Sequence, residues 1–277
     1  MILPIEAART APRRTRTRAM EPATPVVVVA SGREAAGTST LAALLALAAS
    51  GTHERVLLVD ADFRVPALRA LLKRATVAAG VGAATEEELE TGPVEVSGSL
   101  ALLAALPREE EGEAPEAAAG RLSGLFGGYS LVVIDAGSRL ESLHTACAAG
   151  VTRAVVVGQP DRISIAANYA LVKVLATRLG VEEIGLLVNH ADESTAEQVH
   201  AEIHGAARYF LRAEVAFCGS VPDDPCLRAG LEAGMSLPEA VADSPAAAAV
   251  RRISTTLVPQ PTPAAAARAE RRSHWRS

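Results

Sequence analysis

The sequence predicts an α/β protein in which a mostly parallel sheet is flanked by helices. Short apolar segments alternate along the chain with longer segments whose apolar residues recur at helical spacing. The composition is 49% hydrophobic but only 3% aromatic, which suits buried parallel strands covered by alanine-rich helices. Strands that alternate with helices form right-handed βαβ units, so we expect a parallel sheet that is covered on both faces.

The predicted elements follow one another in a regular order. Strands are predicted at Val26–Ala30, Val56–Asp60, Leu100–Leu103, Leu131–Asp135, Ala154–Gly158, Ile184–Asn189 and Val215–Gly219. Helices are predicted near residues 39–50, 66–74, 115–126, 163–179 and 195–211. In the last of these, Val199, Ile203, Ala207 and Phe210 recur at helical spacing, which predicts one buried face.

Two basic ends flank the predicted domain. Residues 1–25 and 258–277 lack regular periodicity, and we interpret them as a disordered arm and a disordered tail, which leaves one domain at 26–257. The arm has five arginines against two glutamates, and the tail four against one, although the whole chain carries −5. The body is therefore strongly acidic, which argues against specific nucleic-acid binding.

The lack of a recognisable targeting signal and the pattern of cysteines predict a cytoplasmic protein. No apolar run is long enough to span a bilayer, and the first residues lack the apolar region of a signal peptide. The three cysteines include no C-x-x-C pair, so we expect neither a disulfide framework nor a cysteine zinc site.

The loop after the first strand, SGREAAGTST (31–40), carries the first functional signal. Gly32 and Gly37 have the spacing of the phosphate-binding formula G-x-x-x-x-G-K-[ST], and Ser39 is placed to bind Mg²⁺ through its hydroxyl. In such a loop, backbone amides and the start of the following helix form an anion site. The sequence therefore predicts a phosphate-binding frame.

The side chains of this loop depart from the formula. Thr38 stands at the lysine position, so no ammonium spans the outer phosphates, and we expect nucleotide binding to be weakened about 10–100-fold. Hydrolysis is expected to be slowed on the order of 10²–10³-fold. Glu34 adds a negative charge, and Ala35 and Ala36 occupy positions where glycine would adopt positive φ more easily.

Two predicted strands end in acidic residues. Asp60 and Asp62 follow the second strand, and Asp135 ends a later strand just before Gly137. The carboxyl ends of parallel strands border the crevice in which α/β sheets bind ligands. Asp135 has the layout of an aspartate that holds Mg²⁺, and Asp62 could hold a metal-bound water or orient the attacking one. Helix capping is the alternative interpretation of the Asp60–Asp62 pair.

These segments together resemble a known family. SGREAAGTST, VLLVDADFRVPAL and VVIDAG resemble the deviant Walker A ATPases of the MinD/ParA group. The segments at 155–180, 185–194 and 218–254 resemble the FlhG/FleN branch, which regulates flagellar number and placement. The resemblance covers about residues 26–257 and implies a P-loop NTPase domain with ATP and Mg²⁺ as cofactors.

The resemblance also assigns individual residues. Arg33 matches a lysine that reaches across a nucleotide-sandwich dimer, and it is predicted to act in catalysis together with Asp62. Asn189 matches a base-contacting asparagine, and Pro222 and Asp223 match the loop that lies against adenine. The predicted nucleotide-binding residues are Gly32, Arg33, Ala35, Ala36, Gly37, Thr38, Ser39, Thr40, Asn189, Pro222 and Asp223, and the predicted metal-binding residues are Ser39, Asp60 and Asp135.

The predicted function is that of a regulatory or positioning factor that binds ATP weakly and hydrolyses it poorly. A non-enzymatic pseudoATPase scaffold is the alternative. DADFRVPALRALL also resembles the bacterial tyrosine kinases of polysaccharide synthesis, although the last tyrosine of the chain is Tyr209. The predicted partners are a second copy through the nucleotide face and a flagellar or export-type regulator. Peripheral contact with the inner face of the cell membrane would involve Trp275.

Two polar pairs have structural interpretations. His200 and His204 are four residues apart, which is a zinc-compatible spacing, but we interpret them as a solvated helix face. Asp223 and Asp224 are interpreted as a turn with an Asx hydrogen bond before a helix that begins at Pro225.

Overall fold

The computed structural model describes residues 24–61, 67–78, 92–103 and 115–258. The strands are β1 (Val26–Ala30), β2 (Val56–Asp60), β3 (Val94–Ser97), β4 (Leu100–Leu103), β5 (Leu131–Gly137), β6 (Arg153–Gly158), β7 (Glu183–Asn189) and β8 (Ala216–Val221). The helices are α1 (Thr38–Ala49), α2 (Ala67–Ala78), α3 (Pro115–Leu125), α4 (Leu140–Ala148), α5 (Arg162–Thr177), α6 (Glu193–Leu211), α7 (Pro225–Glu232), α8 (Leu237–Ala240) and α9 (Pro245–Leu257).

Within the described residues, the strands form one sheet in the order β3-β4-β2-β5-β1-β6-β7-β8. The edge pair β3–β4 is antiparallel, and the other neighbouring pairs are parallel. The predicted class, α/β with a mostly parallel sheet, is therefore confirmed. The central strand β1 lies between β5 and β6, so the loop that follows it emerges at the middle of the sheet, where α/β folds bind ligands.

Alternate residues of the central strands contribute to two separate cores. Val27 and Val29 of β1 belong to the core under α1, α2 and α9, whereas Val28 belongs to the core under α3, α4, α5 and α6. All five residues of β1 are buried. Helices therefore cover both faces of the sheet, as its continuous apolar strands require.

The predicted strands and helices all exist, three strands with their predicted ends and the other elements with ends shifted by one to four residues, but β3, α4, α8 and α9 are not among the predicted elements. Helix α9 is missed although its buried residues Val250, Ile253 and Leu257 recur at helical spacing, and α8 has only four residues. One prediction about a buried face is wrong. Val199, Ile203 and Ala207 are buried, but Phe210 is 70% exposed.

The position of Phe210 follows from the end of α6. Arg208, Tyr209 and Phe210 are all exposed although they point in different directions around the helix. The last turn therefore projects beyond its neighbours, and periodicity alone does not show where a packing partner ends.

Two further predictions fall largely outside the described residues. These are the disordered arm and tail, of which only Thr24, Pro25 and Val258 are described. Among the described residues, no helix combines the length and the apolar character that a bilayer span requires.

Asp224 caps α7, as its interpretation as a turn with an Asx hydrogen bond before a helix at Pro225 predicts, and it also contacts the start of α9, which the sequence does not predict. Its buried carboxylate accepts hydrogen bonds from the amide of Leu227 in α7 at 2.9 Å and from the hydroxyl of Ser244, which precedes α9, at 2.6 Å. Burial by itself raises the pKa of this carboxyl. The accepted hydrogen bonds, foremost that from Ser244, outweigh burial and hold the pKa below its usual value.

We expect Asp224 to make the stability depend on acidic pH. A folded-state pKa below the unfolded value of about 3.9 adds stability that is present above that pH and is lost as the pH falls through the folded-state pKa. Asp224→Asn should therefore unfold at lower urea than the wild type at pH 6, and the difference should shrink towards pH 3. Asp223→Asn is the matched control, because its side chain is half exposed. A constant difference between pH 6 and pH 3 would contradict the assignment.

Candidate functional site

The loop of residues 31–37 leaves the carboxyl end of β1 and turns directly into α1. It is anchored where the amide of Ser31 donates to the carbonyl of Gly137 at 2.8 Å. Helix α1 begins at Thr38, after Gly37 in a left-handed conformation with φ 86°. The first turn of α1 thus faces the loop, and the positive end of the helix lies where an anion would bind.

The backbone of the loop includes two left-handed residues. Ala35 has φ 58°, a conformation that costs an alanine roughly 1–2 kcal/mol, as expected from the missing glycine. Gly37 has no room for a side chain, because a Cβ atom there would lie 2.4 Å from Nδ2 of Asn189. The loop therefore has glycine at position 37, where the side chain of Asn189 approaches the backbone, and it tolerates a strained backbone at Ala35.

Asn189, at the end of β7, contacts the loop directly. Its side-chain nitrogen donates to the carbonyl of Ala36 at 2.9 Å. A cavity of about 140 Å³ opens beside this contact, between α1 and the loops that follow β7 and β8. Its lining includes the predicted nucleotide-binding residues Gly37, Thr40, Asn189, Pro222 and Asp223. The fold thus brings three separate segments of the sequence together at one cavity.

Asp60 and Asp135 lie side by side on neighbouring strands. They are paired in the register of β2 and β5, and both are fully buried. Asp60 accepts a hydrogen bond from the amide of Leu68 at 3.1 Å, and Asp135 accepts one from the amide of Gly137 at 3.0 Å. Side chains alternate along a strand, and Leu58 and Val133 belong to the core under α1. Both carboxylates therefore lie on the face of the sheet that α1 covers.

This arrangement has the chemistry of a magnesium site that is shared with a phosphate ligand. Ser39 lies in the first turn of α1, on the same side of the sheet as the two carboxylates, and all three side chains offer oxygen atoms, which Mg²⁺ prefers. The described residues contain no group of three or more metal-binding side chains. Mg²⁺ characteristically combines one or two carboxylates with phosphate oxygens and water, so the donor set fits a nucleotide-bound metal.

Of the two predicted catalytic residues, the structure describes Arg33 but not Asp62. Asp62 lies outside the described residues. Arg33 forms an ion pair with Asp161 at 3.0 Å, and both side chains are partly exposed at 36% and 43%. Asp161 also caps α5 through the amide of Ser164. In the described chain, therefore, the guanidinium is held by its own subunit next to the loop.

Residues that the sequence analysis does not single out surround the loop. Asn168, on α5, accepts a hydrogen bond from the amide of Gly32 at 2.8 Å. The side-chain nitrogen of Gln159 lies 3.5 Å from the carbonyl of Ala35 and 3.2 Å from Nδ1 of His190. A signal for Asn168 exists in the sequence, because it falls at helical spacing with the apolar residues Val172 and Leu175.

His200 and His204 do not form a solvated face, so that prediction is wrong. Both are half-buried, their rings stack at 5.2 Å, and both contact the carbonyl of Val215, at 2.7 Å and 3.1 Å respectively. The two histidines therefore connect α6 to Val215, the residue that precedes β8. Spacing along the helix does not reveal this role, because Val215 belongs to another segment.

Known proteins resemble this chain in sequence and in fold. No protein-family model matches the chain. An uncharacterized ATP-binding protein of Methanocaldococcus jannaschii is 27% identical over 240 residues, which are 84% of this chain and 87% of that protein.

Two solved structures match the same share of the chain. MinD of Pyrococcus horikoshii in complex with Mg-ADP has a TM-score of 0.64 at 19% identity and covers 84% of this chain and 96% of that one. A ParA family ATPase of Chlorobium tepidum has a TM-score of 0.64 at 19% identity and covers 84% and 98%. The chain therefore has the MinD/ParA P-loop NTPase fold, as the sequence predicts.

Proposed function

We propose that this chain, which has the MinD/ParA P-loop fold, is a regulatory or positioning factor that binds ATP with Mg²⁺ weakly and hydrolyses it slowly. One observation carries the proposal. The phosphate-type loop, the buried pair Asp60 and Asp135, and the cavity beside Asn189 converge at one edge of the sheet. The ATP-binding relative from M. jannaschii and the Mg-ADP complex of P. horikoshii MinD support it.

In this proposal, backbone N–H groups contribute more to nucleotide binding than charged side chains do. Amides of the loop and of the first turn of α1 would hold the phosphates. Ser39 and Asp135 would hold Mg²⁺, with Asp60 beside them, and the metal would supply positive charge at the outer phosphates. Thr38 adds no ammonium, so both affinity and turnover are expected to be low.

The base would occupy the cavity beside Asn189. Leu41 and Leu44 give the cavity an apolar wall, which suits the flat face of a base. The side-chain nitrogen of Asn189 is engaged with Ala36, so the carboxamide oxygen is the group that would accept a hydrogen bond from the amino group of adenine. Pro222 and Asp223 would border the base on the other side.

The proposed partner surface surrounds the loop. Ile163 and Leu140 are 72% and 51% exposed, and they lie at the starts of α5 and α4, on the same edge of the sheet as Arg33. A second copy docked there would cover these side chains. We assign the chain to the FlhG-like branch, with a flagellar or export-type regulator as its protein partner, on the resemblance described above. A cytoplasmic location with peripheral membrane contact belongs to the same proposal.

A non-enzymatic scaffold is the second candidate, and specific observations favour it. Thr38 removes the cation that the chemistry uses, and Arg33 is paired with Asp161 of its own chain. In that case the same surface would bind a partner without nucleotide turnover. The two candidates differ in whether MgATP binds and is hydrolysed.

Titration calorimetry with MgATP tests the proposal. We expect saturable heat at high-micromolar to millimolar nucleotide, and turnover well below that of intact P-loop ATPases. Ser39→Ala should weaken MgATP binding by about tenfold, since one metal contact is lost. Ser50→Ala, at the other end of α1, should leave it unchanged.

Three outcomes would contradict parts of the proposal. Neither heat nor a thermal shift at millimolar nucleotide would leave only the scaffold. Turnover equal to that of intact relatives would refute slow hydrolysis. Equal affinity of the Ser39 and Ser50 variants would remove the metal role of Ser39.

A further inference from the structure

Asn168 is a fully buried polar residue in the middle of α5. Its side-chain oxygen accepts the amide of Gly32 at 2.8 Å, and its nitrogen donates to the carbonyl of Val157 at 3.2 Å and to the hydroxyl of Ser164 at 3.1 Å. A carbonyl only accepts, so the nitrogen must face Val157 and the oxygen must face Gly32. The orientation of the side chain is therefore determined by its partners.

The same hydrogen-bond network also reaches Arg33, the next residue of the loop, through Ser164 and Asp161. Ser164 Oγ accepts the amide of Gln159 at 2.9 Å, and the amide of Ser164 donates to Asp161 at 3.0 Å. Asp161 in turn pairs with Arg33 at 3.0 Å. Helix α5 thus holds the entry of the loop at two adjacent residues, by a buried amide and by an ion pair.

Close packing makes the first of these attachments rigid. A Cβ atom at Gly32 would lie 2.4 Å from the carbonyl carbon and oxygen of Ala167. The loop backbone therefore rests directly on the backbone of α5, one residue before Asn168. At this distance, the position of α5 decides where the Gly32 peptide lies.

The attachment also divides the loop by function. The amide of Gly32 is used by Asn168, and that of Arg33 donates to Ser31 Oγ at 3.3 Å. A bound phosphate would therefore accept hydrogen bonds from the amides of residues after Arg33. The directions of those N–H groups depend on how Gly32 and Arg33 are held. Because Thr38 provides no ammonium, binding relies on preorganised amides.

We propose that Asn168 is a positioning residue of the phosphate loop: it fixes the Gly32 peptide to α5 and so holds the later amides in their anion-binding directions. The inference rests on the nucleotide-binding function proposed above. It assigns to α5, a helix on the opposite face of the sheet from α1, the ordering of the loop entry at Gly32.

The test compares Asn168→Ala with Val172→Ala. Val172 is also fully buried on α5, but its side chain packs in the apolar core. MgADP affinity is measured by calorimetry, and stability by thermal unfolding. We expect Asn168→Ala to weaken MgADP binding about tenfold, whereas Val172→Ala lowers the melting temperature and leaves MgADP affinity within about twofold. If Asn168→Ala does not fold, Asn168→Ser replaces it, because a serine hydroxyl is too short to reach Gly32.

Hydrogen exchange provides a readout that does not need nucleotide. Amides of residues 34–40 should exchange faster in the Asn168 variant than in the wild type, and at an unchanged rate in Val172→Ala. Equal exchange in both variants, or equal losses of MgADP affinity at equal losses of stability, would overturn the proposal. A wild type that binds no MgADP would refute the nucleotide function alone, since the exchange measurement would still decide the role of Asn168.

Discussion

Replacing Thr38 by lysine is expected to tighten MgATP binding by about 10–100-fold. Thr38 is the first residue of α1, so we expect a lysine there to extend from the start of the helix over the loop. A hydrogen bond to a charged group contributes about 1.5–3 kcal/mol, which corresponds to this change in affinity. Turnover should rise by up to about 10²–10³-fold, because the ammonium stabilises charge that develops during phosphoryl transfer.

The matched control for this gain is Thr177→Lys. Thr177 is the last residue of α5, and its side chain is exposed at the edge of the sheet away from the loop. The Thr177→Lys variant gains the same positive charge, so it measures any general effect of net charge on the affinity for a polyanionic ligand. Calorimetry and phosphate release are measured for both variants and the wild type.

An unchanged affinity of Thr38→Lys would contradict the idea that only the ammonium is missing. Adding Glu34→Gln to Thr38→Lys would then show why. Recovery of affinity would identify the exposed carboxylate of Glu34 as the obstacle, because its charge opposes phosphate. If affinity stayed low in the double variant as well, the shape of the loop at Ala35 would be the obstacle.

Replacing Gly32 by alanine is expected to cause a large loss of stability. The new Cβ atom would lie 2.4 Å from backbone atoms of Ala167, and a helix backbone cannot move aside as a flexible side chain can. Overpacking of this kind costs about 1–3 kcal/mol and occasionally more. The shift would also break the hydrogen bond between Gly32 and Asn168, so MgATP binding should be lost together with stability.

Gly120→Ala is the control for this substitution. Gly120 lies in α3, and a Cβ atom there meets nothing within 4 Å, so alanine should be neutral or stabilise by up to about 1 kcal/mol. Urea unfolding of both variants measures the difference. A Gly32→Ala protein as stable as the wild type would show that the loop does not rest on α5 in solution.

Much of the fold follows from local patterns. VVVVA predicts β1 with its observed ends, because a short run of β-branched residues is typical of a strand that is buried on both faces. Helix α6 is predicted from Val199, Ile203 and Ala207, but Phe210 is misplaced because the end of a packing partner is not encoded in the helix itself. The antiparallel strand β3 (Val94–Ser97) is missed, since it has only four residues, of which Val96 alone is fully buried.

The sequence by itself determined the parts of the site that lie close together along the chain. Gly32, Gly37 and Ser39 define the loop by their spacing, and Asp60 and Asp135 each follow an apolar run. The lysine position is visibly occupied by Thr38. These are statements about residue type and separation, which one segment contains in full.

Only the tertiary structure decided which segments meet. It placed β1 between β5 and β6, brought Asn189 against the loop at Gly37, and paired Arg33 with Asp161. It also showed that Asn168, which is 136 residues from Gly32, holds the loop from another helix. Such contacts join segments that are distant in sequence, and they form because the strand order and the helices that cover both faces of the sheet bring these segments together.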